Sequence, residues 1–233
     1  MDYGLQASKK MANIWNSDHA LADEGSFYVA TSPTPGTGIA TTTSVIDDAA
    51  TASATHAQNV PVLYIQNTAD RGNDEAETIY LKYLRMIVTA APTSATEWNA
   101  SFRADSVARY TSGGSLIDPV NINLASPNDS GALVRFGAVV TADLPSSSAR
   151  LVGRAMVQSS IPVVKDQWIF TFGDPSMPTN LLTATGAKNI NIPMGPIIIP
   201  PGWNIAMGMW GASNAGAPAW EFELGFVKRR RGL

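Results

Sequence analysis

Glu221 and Glu223 stand two residues apart near the end of the chain. In a strand that spacing puts both carboxylates on one face, with alpha carbons ~6.5 Å apart by strand rise. Paired carboxyls at such separations can work as nucleophile and acid on a glycosidic bond. A catalytic pair, however, flanks a cleft. Here Trp220, Phe222, Leu224 and Phe226 alternate with the two glutamates. Large apolar residues at period two mark a core face. Glu221 and Glu223 are therefore expected to face solvent or a neighbouring molecule.

The remaining reactive residues are few. The chain has two histidines, His19 and His56, and no cysteine. A Ser-His-Asp site needs a histidine held against a presented serine, and no G-x-S-x-G elbow occurs to present one. A cupin-type metal site needs histidines clustered on barrel strands, whereas both histidines lie upstream of the strand-rich region. The run Asp70-Arg71-Gly72-Asn73-Asp74-Glu75 gathers oxygen ligands but lacks the D-x-D-x-D-G spacing and distal Glu of a calcium loop. It reads as a surface turn, and Asp47-Asp48 as a solvated pair. Gly36-Thr37-Gly38 lacks the third glycine and the following helix of a phosphate loop. The sequons Asn99-Ala100-Ser101 and Asn128-Asp129-Ser130 are short enough to arise by chance. No catalytic residue, cofactor or metal is expected, and the chain reads as a protein that is not an enzyme.

One strong charge cluster exists, Lys228-Arg229-Arg230-Arg231, directly after the last apolar alternation. It reads first as a solvated tail that keeps a sheet edge soluble, and second as a contact for an acidic partner surface. With no interleaved aromatic and a net charge of -3, nucleic acid is not an expected partner.

These groups must be positioned by something, and composition says what. The 233 residues are 45% hydrophobic and only 15% charged, against about 25% charged in an average domain. A weakly charged surface is easier to bury against a partner. No apolar run reaches the ~20 residues of a membrane helix, and residues 1–18 lack the apolar block of a secretory signal. Residues 1–24 hold the one helix candidate, a short stripe of Leu5, Ala7, Met11, Ile14 and Trp15. Such a terminal segment is expected as an arm lying on something else, which makes Met11 and Trp15 candidate contact residues together with Lys228, Arg229, Arg230 and Arg231. Residues 26–31 read as a short strand, and residues 31–59, rich in Thr, Ser, Ala and Pro, as a long polar loop.

From residue 60 the pattern becomes dense. Strands are expected at 61–66, 78–89, 97–109, 116–124, 132–140, 151–158, 166–172, 196–199, 203–209 and 219–227, with turn chemistry between them, Ser112-Gly113-Gly114 included. Residues 78–89 fit both periods: Tyr80, Leu84 and Val88 a helix, Ile79, Leu81, Tyr83 and Ile87 a strand. Strand neighbours favour the strand, with both faces buried, one of them against another subunit. Short strands at regular spacing predict an all-β, two-sheet antiparallel sandwich. The division is an N-terminal arm and loop over residues 1–59 and a sandwich with a basic tail over residues 60–233.

Several strings carry a family likeness: Tyr80-Leu81-Lys82-Tyr83-Leu84-Arg85-Met86-Ile87, Arg109-Tyr110-Thr111-Ser112-Gly113-Gly114, Ala149-Arg150-Leu151-Val152-Gly153-Arg154, Ile161-Pro162-Val163-Val164 and Phe222-Glu223-Leu224-Gly225-Phe226. Over residues 60–228 the chain resembles a family of tailed-bacteriophage virion proteins. The resemblance implies a jelly-roll sandwich, a homotrimer that decorates or cements an icosahedral head by binding its major capsid protein, located in the virion after assembly in host cytoplasm. It brings no catalytic residues. Two other readings stand beside it: a fibre module that recognises a host glycan, with Trp98 and Trp210 as stacking candidates, and a small jelly-roll coat protein.

Overall fold

Alternation of large apolar side chains builds the central strands of this protein. In the computed structural model, which describes residues 17–41, 59–73, 76–93, 97–142, 149–158, 160–173, 187–212 and 218–230, one short helix precedes fourteen strands. In chain order these are α1 (Ser17–Asp23), β1 (Phe27–Thr31), β2 (Ile39–Ala40), β3 (Leu63–Asn67), β4 (Glu77–Ala90), β5 (Glu97–Asp105), β6 (Tyr110–Ile117) and β7 (Val120–Asn121). There follow β8 (Ala132–Thr141), β9 (Arg150–Gln158), β10 (Gln167–Phe172), β11 (Asn189–Met194), β12 (Ile198–Ile199), β13 (Asn204–Ala212) and β14 (Ala219–Arg230). Met11, Trp15, His56, Asp47, Asp48 and Arg231 lie outside the described residues.

The strands form two facing sheets, ordered β11-β10-β4-β14-β1-β7 and β6-β8-β3-β13-β5-β9. Four antiparallel pairs nest inside one another along the chain: β1 with β14, β3 with β13, β4 with β10 and β5 with β9. Alternate pairs fall in opposite sheets. A long hairpin folded over on itself gives this arrangement, and it is the jelly-roll sandwich. The segment β6–β8 is an insertion between β5 and β9 that widens both sheets on one side. On the other side β11 adds the one parallel pairing among the described residues, to β10.

The core lies between the sheets. Trp98 from β5, Trp168 from β10 and Trp220 from β14 meet there, with ring centroids 5.6, 5.9 and 4.6 Å apart for the three pairs. Phe102 packs edge-on against Phe170 and Phe172. The stripe Trp220, Phe222, Leu224 and Phe226 is buried throughout, as its period requires. The two closing strands belong to opposite sheets, so their stripes, Ile205, Met207 and Met209 on β13 and the aromatics on β14, share one core.

The structure corrects four sequence expectations. Strand β4 does not carry two buried faces. Its core residues are Ile79 and Leu81, then Leu84, Met86 and Val88. The phase shifts because Gly225 pairs with Tyr83 while Phe226 pairs with Leu81, which leaves Lys82 as an extra residue. A β-bulge of this kind breaks the period of two, which is why residues 78–89 fitted both templates in part. Residues 112–114 are not a turn but a second irregularity within β6, where Gly113 and Gly114 take φ of 73° and 64°; left-handed glycines serve bulges as well as turns. Residues 116–124 are not one strand. Pro119 interrupts them, so Leu116 and Ile117 end β6 while Val120 and Asn121 pair in the other sheet. Strand β11 was missed because Pro193 interrupts an Asn-Ile alternation; as an outermost strand, β11 tolerates it. The strand at residues 27–31 sits between β14 and β7, so part of the N-terminal segment is built into the sandwich.

Candidate interaction surface

The outer face of the sheet containing β4 and β14 carries the two glutamates first suspected of chemistry. Glu223 accepts a hydrogen bond from the Tyr83 hydroxyl at 2.7 Å and an ion-paired one from Arg85 Nη2 at 2.6 Å. Burial, reinforced by the Glu223 hydrogen bond and charge, pushes the Tyr83 phenol well above its ordinary value. Glu221 accepts from the backbone N–H of Gly36, so the Gly36-Thr37-Gly38 segment crosses this face and leads into β2, with no helix to receive a phosphate. Each carboxylate is bound to a different structural partner. They tie a loop and a bulge to the sheet, and both border one small pocket with Thr31, Ser32, Pro35, Arg85 and Ile87.

The basic run is not a loose tail. Strand β14 continues to Arg230, three residues past its expected end. Lys228 pairs with Glu77 at 3.1 Å and donates to the Asp129 carbonyl at 3.0 Å. Arg229 pairs with Glu24 at 2.8 Å, just after α1. Arg230 lies opposite Glu77 in register. At the other end of α1, Asp18 pairs with Lys82, the bulge residue, at 2.9 Å. Much of the cluster therefore works within the chain, fastening α1 over the sheet.

The other sequence candidates are dispersed. His19 is exposed on α1. Asp70 closes an Asx turn by accepting from Gly72 N at 3.1 Å, which is the surface turn expected there. Trp98 is fully buried in the core and offers no ring to a sugar. Asn99 of the first sequon is buried in β5, while Asn128 of the second is exposed. Among the described residues, no three His, Cys, Asp or Glu side chains gather as a metal set.

Sequence reasoning missed two buried carboxylates that shape the surface. Asp105 at the end of β5 accepts from Val107 N at 2.8 Å and pairs with Arg109 Nε at 2.9 Å. Asp166 accepts from Val163 N at 2.9 Å and Lys188 N at 2.7 Å, pinning the β9–β10 loop. It also missed where apolar side chains remain outside. Leu151, Val152 and Met156 are exposed on β9, and Ile161, Val163 and Val164 on the loop after it. A second group, Leu116, Val120, Ile122 and Leu124, is exposed on the β6–β7 insertion. The adjacent pairs Leu151-Val152 and Met156-Val157 were the available signal, because a half-buried strand seldom places apolar residues side by side.

Among the described residues, no helix is long and apolar enough to cross a membrane. Comparison of the sequence with protein-family models and with curated proteins finds no match.

Proposed function

We propose that this chain is a structural subunit of a virus particle of the tailed-phage type, a homotrimeric decoration or cement protein that binds the major capsid protein of an icosahedral head. One observation carries the reading: a jelly-roll sandwich that leaves fixed apolar side chains along both of its lateral edges. Exposed apolar groups in that number are the mark of surfaces that are covered in the working state. Jelly rolls also serve lectins and enzymes. Here Trp98, one of the two stacking candidates, is in the core, and the two suspected carboxylates are bound to Tyr83, Arg85 and Gly36.

The test is addition of the purified protein to phage heads that lack it. Saturable binding at three-fold or quasi-three-fold positions, seen in a reconstruction, with heads that then resist heat or chelation longer, is the expected result. Failure to bind any head, with rings or shells formed by the protein alone, would move the reading to a coat protein.

A further inference from the structure

The two apolar groups lie at opposite lateral edges of the sandwich. Strand β9 is the last strand on one side of its sheet, pairing with β5 alone, and it runs close to β11, where a Cβ on Gly153 would meet Met194 Cε at 2.5 Å. Strands β6 and β7 are the last strands on the other side of the two sheets. The two edges also differ in charge. Residues 149–165 contain Arg150, Arg154 and Lys165 and no Asp or Glu. Residues 110–131 contain Asp118 and Asp129 and no Lys or Arg. Two cations border the acidic edge, and both are engaged within the chain: Arg135 with the Gly113 and Gly114 carbonyls and the Tyr110 ring, and Lys228 with Glu77 and the Asp129 carbonyl.

Both edges are held ready for contact. Asp166, fully buried, ties down the loop that carries Val163 and Val164. Lys165 N donates to the Val88 carbonyl at 2.8 Å and takes φ of 79° to do so. On the other edge the Asn121 and Asn123 side chains accept from Asn123 N and Ala125 N, and donate to the Gly25 and Asp23 carbonyls. That ladder presents Leu124 with 86% of its surface exposed. Apolar groups already ordered in the free protein lose little entropy on binding.

We propose that the chain assembles head to tail, the basic apolar edge at Leu151, Val152 and Met156 of one copy docking on the acidic apolar edge at Val120, Ile122 and Leu124 of the next. The occupant of each edge is thus a second copy of this chain. This rests on the assembly reading above and names its contact. Joining two β9 edges symmetrically would set Arg150 and Arg154 against the same cations of the neighbour, which opposes association. A contact between two different patches generates a ring when its rotation closes, and a ring of three satisfies the trimer.

The cysteine-free chain makes a direct test available. Met156→Cys and Leu124→Cys variants of the full chain, differently tagged, are expressed singly and together and treated with a short bis-maleimide. The expected result is a covalent dimer only in the co-expressed sample, and a series ending at the trimer for the double variant. Arg154→Glu is expected to weaken assembly roughly tenfold, and Asp118→Arg in the same chain to restore it. Cross-linking of Met156→Cys to itself would overturn the head-to-tail arrangement. A wild-type oligomer by native mass spectrometry with no cross-link in any sample would place the contact elsewhere and leave the assembly reading standing. A wild-type monomer at micromolar concentration would overturn the inference, and head binding would then decide the broader reading independently.

Discussion

The ring of Tyr83 lies over Gly225 on the neighbouring strand, so close that a Cβ at Gly225 would stand 2.3 Å from Tyr83 Cε1. The pair marks the bulge at which β4 gains Lys82 and changes phase against β14. Glycine is required there by space, not by backbone conformation. The bulge aims the Tyr83 hydroxyl at Glu223, so a sequence irregularity becomes a polar lock on the outer face.

Gly225→Ala must displace that ring. Overpacking of this kind costs about 1–3 kcal/mol, so the urea midpoint should fall with the m-value unchanged. Adding Tyr83→Ala should recover part of the loss, because the two changes share one contact.

The Tyr83 phenol gives a pH signature. Burial and Glu223 raise its pKa above the ordinary 10.0, so the folded state holds the proton more tightly than the unfolded state. Its contribution to stability is complete below about pH 10 and declines as pH rises beyond it. Tyr28 and Tyr64, also raised by burial, act in the same direction. Alkaline unfolding followed by circular dichroism should show Tyr83→Phe losing stability less steeply than wild type above that pH.

Asp166→Ala removes a buried acceptor of two backbone N–H groups. Hydrogen bonds to a charged group contribute roughly 1.5–3 kcal/mol, so a loss of about 3 kcal/mol is expected. Hydrogen exchange should quicken first at Val163 and Lys188, since those amides lose their acceptor.

The ion pairs Asp18–Lys82 and Glu24–Arg229 are partly exposed, and pairs of that kind contribute about 0.2–1 kcal/mol each. The double variant Asp18→Ala, Glu24→Ala should keep its thermal midpoint within a few degrees. Limited proteolysis should nevertheless cut near residues 17–24 sooner, and high salt should reproduce the effect in wild type.

Trp168 touches both other core tryptophans. Trp168→Ala should cost about 3–5 kcal/mol, and the altered packing should change the near-ultraviolet circular dichroism of the remaining pair.

Much of the fold was legible in the chain because alternation is a local property. The stripe Trp220, Phe222, Leu224 and Phe226 names its own core face, and strands at 132–140 and 151–158 emerge within one residue of their observed limits. The candidate surface was far less legible. Lys228 and Arg229 read as a tail because their partners, Glu77 and Glu24, are distant in sequence. Asp105 and Asp166 fell inside expected strands, at 97–109 and 166–172, and nothing local in the chain marked either carboxylate as buried.

The amino-acid sequence by itself determined that this is an all-β protein, which face of β14 is apolar, and that Glu221 and Glu223 belong to the opposite face from the core aromatics. Only the tertiary structure decided that β13 and β14 close different sheets, that Lys82 shifts the phase of β4, and that Arg154 and Asp118 occupy opposite edges of the sandwich. The reason is physical. A strand's side chains alternate whatever it pairs with, but the choice of neighbour, the position of a bulge and the identity of an edge strand depend on contacts between residues far apart in the chain.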